Sequence, residues 1–307
     1  MFKYLVCSCL FISSVNALVD YSDNSSSERF SKRIKPKEKI ITRSAPRNTS
    51  SKLSTSRRSA SPSLTGISFS SSVDTLTIGS YQNYKESKVS KISFSLDVQT
   101  PYNIYLSTKY FLASSANQNL ANTSDYQAGN AEFILGFNWL KFGGEYDQGL
   151  LNIYGGASVG QKNSDFAHSR TNQIYGIETV KRFLSFALGL GYELRISGKS
   201  TSESSTGNIG KLYGSVGWEV SNDIKMAVEA ATVNIGEGKG NGINSNSINY
   251  SYFVPKIQLG LSPRVSLDLV ALFVINKSVM SDSISAKLWD QEGIFGNSLS
   301  AKLAFSL

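Results

Sequence analysis

The chain has 307 residues, 40% of them apolar and 11% aromatic, which excludes a chain too polar to bury a core. Its formal charge of +8 is uneven: residues 18–63 hold eleven Lys and Arg against four Asp and Glu, whereas the stretch beyond Ser63 holds nineteen of each. The basic excess therefore belongs to a tail, and it is no evidence for a nucleic-acid-binding domain.

Residues 1–17 read as an export signal. Lys3 supplies a positive start, Tyr4 to Ile12 an apolar stretch, and Val15-Asn16-Ala17 a small-residue cleavage site ahead of Leu18. The apolar stretch is about half the roughly 20 residues that a spanning helix needs. Both cysteines, Cys7 and Cys9, lie inside it. Cleavage after Ala17 therefore leaves a mature chain without disulfide, thiolate nucleophile or zinc-thiolate site.

Residues 18–63 contain Ser25-Ser26-Ser27, Lys35-Pro36-Lys37 and Arg57-Arg58, with Tyr21 and Phe30 as the aromatic residues. Such a segment buries too little surface to offset its ordering entropy, so the composition predicts a disordered tail. Its net charge of +7 would draw it to anionic lipid headgroups or to an acidic cell-wall polymer.

From about Val73 onward apolar residues recur with period two, which places alternate side chains on opposite faces of a strand. Clear runs are Ile104/Leu106/Thr108/Tyr110/Leu112, Leu184/Phe186/Leu188/Leu190/Tyr192/Leu194/Ile196 and Leu299/Ala301/Leu303/Phe305/Leu307. About twelve strands follow: 73–81, 89–99, 103–113, 129–139, 150–161, 172–181, 184–196, 210–220, 224–235, 247–261, 264–275 and 297–307. Most reach the 9–11 residues that a tilted membrane strand needs.

Their connections alternate in length. Thr100-Pro101-Tyr102, Arg182-Phe183, Ser221-Asn222-Asp223 and Ser262-Pro263 read as tight turns, while 114–128, 162–171, 197–209, 236–246 and 276–296 read as long loops rich in Ser, Asn and Gly. Residues 140–149 read as a turn longer than the others. Long strands with short turns at one end and long loops at the other predict an all-β fold, a transmembrane antiparallel β-barrel of about twelve strands. A soluble sandwich is the alternative, but its water-facing side would carry Lys, Glu and Thr where this sequence has Gly, Ala and Ser.

On this pattern residues 64–307 resemble the barrel of a Gram-negative outer-membrane protein of the porin-like type. The terminal Leu303-Ala304-Phe305-Ser306-Leu307 resembles the signal read by the barrel assembly machinery, although that signal usually ends in Phe. The resemblance implies an outer-membrane location, surrounding outer-membrane lipid and the assembly machinery as a partner during biogenesis.

With the apolar face toward lipid, the lumen receives Lys91, Asp97, Lys109, Glu193, Arg195, Lys211, Glu219, Lys225, Glu229, Asp268 and Lys302. This mixed lining suits a weakly selective aqueous pore or a salt-bridged plug. About twelve strands predict a narrow passage. Gly156, Ser158, Gly189, Gly191, Ser215 and Gly217 would either widen it or relieve crowding in a curved sheet.

Enzymatic signals are weaker. Gly156-Ala157-Ser158-Val159-Gly160 matches a nucleophile-elbow pattern but lies in an alternating strand with no helix after it. His168, the single histidine, reads as a solvated loop residue and, alternatively, as the base of a lipid-directed hydrolase. One histidine without mature cysteine holds no metal cluster, and Gly236 to Gly242 reads as a flexible loop and not as a phosphate cradle. No catalytic residue, cofactor or metal is expected. The residues favour a narrow diffusion pore for small solutes, with the tail in the periplasm. A structural or surface-interaction barrel is the alternative.

Overall fold

A computed structural model describes residues 66–78, 87–100, 102–115, 124–143, 147–161, 163–198, 207–239, 244–245, 247–276 and 287–307. The signal and the basic tail lie outside the described residues. The barrel strands are β1 (Gly66–Ile78), β2 (Ser87–Gln99), β3 (Ile104–Ser115), β4 (Gln127–Phe142), β5 (Gly149–Val159), β6 (Thr171–Phe183), β7 (Phe186–Ile196), β8 (Ile209–Ser221), β9 (Ile224–Ile235), β12 (Ile248–Ser262), β13 (Val265–Asn276) and β14 (Ser298–Ser306). Between β9 and β12, β10 (Gly238–Lys239) and β11 (Asn244–Ser245) form a small separate ribbon.

The twelve long strands pair antiparallel with their neighbours in sequence, and β1 closes the circle against β14. Closure leaves no unpaired edge, the condition for a sheet to cross hydrocarbon. At the seam Phe69 stands opposite Phe305, and the Leu307 amide donates to the Ile67 carbonyl at 2.9 Å. The start of β1 and the end of β14 therefore lie at the end of the barrel that carries the short turns.

Strand bounds follow the alternation with two departures. β1 begins at Gly66 and ends at Ile78, where periodicity predicts 73–81. Its inward positions include Ser68, Ser70, Ser72 and Asp74, so this strand has a polar and a mixed face and little apolar rhythm for sequence to reveal. The turn expected at Arg182-Phe183 lies at Leu184-Ser185, with Leu184 in left-handed backbone at φ 53°. Residues 140–149 do hold a longer turn. Gly143 there has φ 93°, and a side-chain carbon would fall 1.7 Å from the Asp147 carbonyl oxygen, a place only glycine can occupy.

The outward face carries the exposed apolar residues, among them Leu135 at 58%, Leu190 at 56% and Leu299 at 66%. In water such a continuous apolar surface would drive association; around a barrel it is the lipid-facing belt. Near the short turns it is aromatic, with Tyr102, Trp139, Phe183, Phe186 and Trp218 all exposed. The rings of Phe186 and Trp218 stack at 5.7 Å. An aromatic girdle is what a membrane interface selects.

Candidate functional site in the barrel lumen

The strand alternation that turns apolar side chains outward turns the intervening charges inward. All eleven residues singled out from sequence occupy inward positions. Lys109 Nζ meets Glu132 Oε1 at 2.6 Å, and Arg195 bridges Glu132 at 3.1 Å and Glu193 at 2.7 Å. Lys211 meets Glu229 at 3.0 Å, and Lys256 meets Asp268 at 3.0 Å. Lys302 is in register with Asp268 on one side and Ser72 on the other. Lys91 stands opposite Asp74 and its ammonium lies 4.3 Å above the Phe111 ring.

The remaining three lie toward the short turns. Asp97 is in register with Ser68 and Ser107, Lys225 with Glu219 and Gln258, and Glu219 pairs with Arg182. Glu132, Glu178, Asp74, Lys256 and Arg182 also face inward and were absent from the sequence reading. The same alternation marks them: Glu132 sits between outward Ala131 and Phe133, and Lys256 between Pro255 and outward Ile257. With these three acidic and two basic side chains added to the original five acidic and six basic ones, the strand lining holds the two kinds in nearly equal number. Buried charges persist when paired and hydrogen-bonded, and this lining is arranged as such a network.

The small inward residues do not simply widen the lumen. A side-chain carbon on Gly191 would fall 2.3 Å from the Tyr213 ring, and one on Gly176 would fall 2.1 Å from the Tyr154 ring. Each ring lies across a glycine of a neighbouring strand, so these glycines seat aromatic side chains on the inner wall. The Tyr154 hydroxyl then donates to Glu193 at 3.0 Å.

The long-loop end departs most from expectation. Residues 163–170 and 287–297, read from sequence as parts of long polar loops, fold into the barrel. Phe166, Ala167, His168 and Leu288 have no exposed surface. His168 is accordingly not a solvated loop residue: its Nε2 lies 3.1 Å from Asn172 Nδ2 and 3.9 Å from Asp290 Oδ2. Ser158, the centre of the elbow-like match, lies within β5 and its hydroxyl donates to Asp290 at 3.3 Å, not to His168.

Segment 287–297 bonds to six strands, among them β13, whose Val274 amide donates to Asn297 Oδ1 at 2.9 Å. Asp290 Oδ2 accepts from Arg195 of β7 at 3.4 Å, besides Ser158 of β5. Glu292 Oε2 accepts from Lys211 of β8 at 3.2 Å and from the Tyr252 hydroxyl of β12 at 2.7 Å. Lys91 of β2 reaches the Trp289 carbonyl at 3.4 Å. Trp289 also donates to the Asp165 carbonyl at 3.2 Å and meets the Phe166 ring edge-on at 5.0 Å, which ties the two inward segments together, and it stacks on Phe295 of its own segment at 4.2 Å. Leu288, Trp289, Ile294 and Phe295 join Val89, Ile209, Tyr250 and Tyr252 in one apolar cluster inside the barrel.

The carboxylates of this segment are ionised. Burial opposes charge on Asp290, but His168, Arg195 and Arg170 outweigh it and hold the carboxyl below its usual range. Burial opposes charge on Glu292 as well, and Lys211 together with the Tyr252 hydrogen bond overcomes it. An apolar plug is thus pinned to the wall by two charged anchors.

No family model and no curated protein matches this chain. Among solved structures it is similar to the COG4313 outer membrane channel from Pseudomonas putida F1, with 11% identity, a TM-score of 0.58 and coverage of 79% of this chain and 95% of that one. Weaker likenesses are the NanC porin, at 8% identity and TM-score 0.46 over 78% of this chain and all of the other, and OccAB1 of Acinetobacter baumannii, at 8% and 0.42 over 79% and 96%. The chain has the fold of an outer-membrane channel barrel, closed by twelve antiparallel strands.

Proposed function

We propose that the protein is an outer-membrane barrel that forms a narrow, weakly selective diffusion pore for small solutes, shut at its long-loop end by segment 287–297. The observation that carries the reading is the evenly charged inner wall behind a continuous apolar belt. Basic and acidic side chains in nearly equal number on the inward strand face favour neither sign of solute. A barrel held only as a scaffold has no need of a charged inner wall, which costs desolvation that apolar packing avoids. The reading is non-enzymatic: His168 lies inside the barrel, away from lipid, so it does not suit a lipid-directed hydrolase.

The basic tail belongs in the periplasm under this proposal, because β1 starts at the short-turn end together with the carboxy terminus. There its +7 charge suits an anionic cell-wall polymer. Outer-membrane lipid surrounds the belt and the assembly machinery handles the chain during insertion.

The apolar cluster inside the mouth favours a second reading, a permanently closed structural barrel. Liposome swelling separates the two. Vesicles with the refolded mature chain should swell in a small neutral sugar faster than protein-free vesicles, and faster still with Asp290→Asn/Glu292→Gln protein. Equal rates for all three, with barrels shown to be folded, select the structural reading. Deleting residues 18–63 should abolish cosedimentation with cell-wall polymer and leave swelling unchanged.

A further inference from the structure

Segment 287–297 occupies its seat as a ligand would. In the hydrogen bonds that tie it to the strands, the strand side donates: Arg195 and Ser158 to the Asp290 carboxylate, Lys211 and Tyr252 to the Glu292 carboxylate, the Tyr250 hydroxyl to the Glu292 carbonyl at 2.8 Å, and Lys91 to the Trp289 carbonyl. The wall around these donors is apolar, built from Val89, Phe111, Ile209, Tyr213, Ile235 and Ile248. Against it lie an indole and a phenyl ring, those of Trp289 and Phe295. Aromatic body and carboxylate are the two features that the seat reads.

The segment is imperfectly satisfied in its seat. Its own Asp290 Oδ1 and Gln291 Nε2 are buried without a hydrogen-bond partner among the described residues, a cost that an occupant without such stranded groups avoids, so a solute can compete with it. We infer that the seat is a binding site for a small aromatic or apolar solute carrying a carboxylate, and that segment 287–297 is a built-in competitor that holds the site until such a solute displaces it. Lys211, Arg195, Tyr250 and Tyr252 bind the carboxylate, and the apolar wall takes the body. The role of the site in transport rests on the pore reading; binding itself does not.

Trp289 supplies the readout, because the other two tryptophans, Trp139 and Trp218, lie on the outward face. In a Trp139→Phe/Trp218→Phe background the folded mature protein is titrated with 4-phenylbutyrate, with 4-phenylbutanol, which lacks the carboxylate, and with butyrate, which lacks the ring. The phenylbutyrate titration should shift the Trp289 emission to the red and saturate, at concentrations about tenfold lower than either control, as expected for loss of one good contact. Calorimetry on Glu292→Gln protein, which keeps the hydrogen bond from Tyr252 and weakens the anchor at Lys211, should show about tenfold tighter phenylbutyrate binding than the unmodified chain. Lys211→Met should weaken it.

Identical titrations by acid and alcohol, or no binding to either the unmodified or the Glu292→Gln protein, overturn the inference. Currents in planar bilayers separate it from the pore reading. Selective binding without any current leaves the site and removes the pore. Current without selective binding leaves the pore and removes the site.

Discussion

Lys256 and Asp268 face each other 3.0 Å apart on the inner wall, each with about 1% of its side chain exposed. Removing Lys256 takes from buried Asp268 its 3.0 Å partner and leaves it the register neighbour Lys302. Lys256→Met should therefore lower the unfolding free energy by about 3 kcal/mol, and adding Asp268→Leu, which in turn takes the register partner from Lys302, should recover only part of that loss. Guanidinium unfolding of the two variants in detergent checks it. The seated tyrosines give a second expectation. Gly191→Ala places a methyl group 2.3 Å from the Tyr213 ring, and overpacking of this kind costs about 1–3 kcal/mol. On the outer face, Leu135 lies at the middle of β4, so Leu135→Arg should cost about 2–4 kcal/mol in lipid.

At the scale of elements, the strands were legible and the inward segments were not. Period two marks β3, β7 and β14 because one face meets lipid along the whole strand. It also marks Glu132 and Lys256, which a strict application of the alternation would have found. The loops offer no period. Their composition is polar, and only the pairs Leu288-Trp289 and Ile294-Phe295 hint at burial. A signal this short does not say whether a loop folds inward or meets a partner, because that choice depends on side chains of strands distant in sequence, the charges of Lys91, Arg195 and Lys211 among them.

The two anchors also set a dependence on pH. Asp290 faces Arg195 of β7, Ser158 of β5, and His168 and Arg170 of the neighbouring inward segment. Glu292 faces Lys211 of β8, Tyr252 of β12 and, at longer range, Lys109 of β3. Both carboxyls are held below their ordinary values near 3.8 and 4.5. Their anchoring is thus fully present above those values and is lost as pH falls through the lowered ones. Trp289 emission should stay constant from pH 8 to about pH 5 and shift to the red below about pH 4. A transition at higher pH, with both carboxyls still ionised, would contradict this assignment.

For the whole molecule, the balance of inner charge and the closed mouth act together. A twelve-strand barrel is wider than one that its side chains alone can fill, and here two chain segments occupy the surplus at one end. The charged wall below them is what a water-filled passage needs; the apolar cluster at the mouth is what a shut one needs. A pore that rests closed accounts for both, whereas a permanently solid barrel leaves the paired lining without a use.

Single-channel conductance in planar bilayers tests this most directly, comparing the mature chain with Asp290→Asn/Glu292→Gln and with a chain lacking residues 18–63. The account predicts brief stepwise openings in the unmodified protein, a higher open probability with the anchors removed, and no change on removing the tail. Silence in all three, from protein shown to be folded, would contradict it.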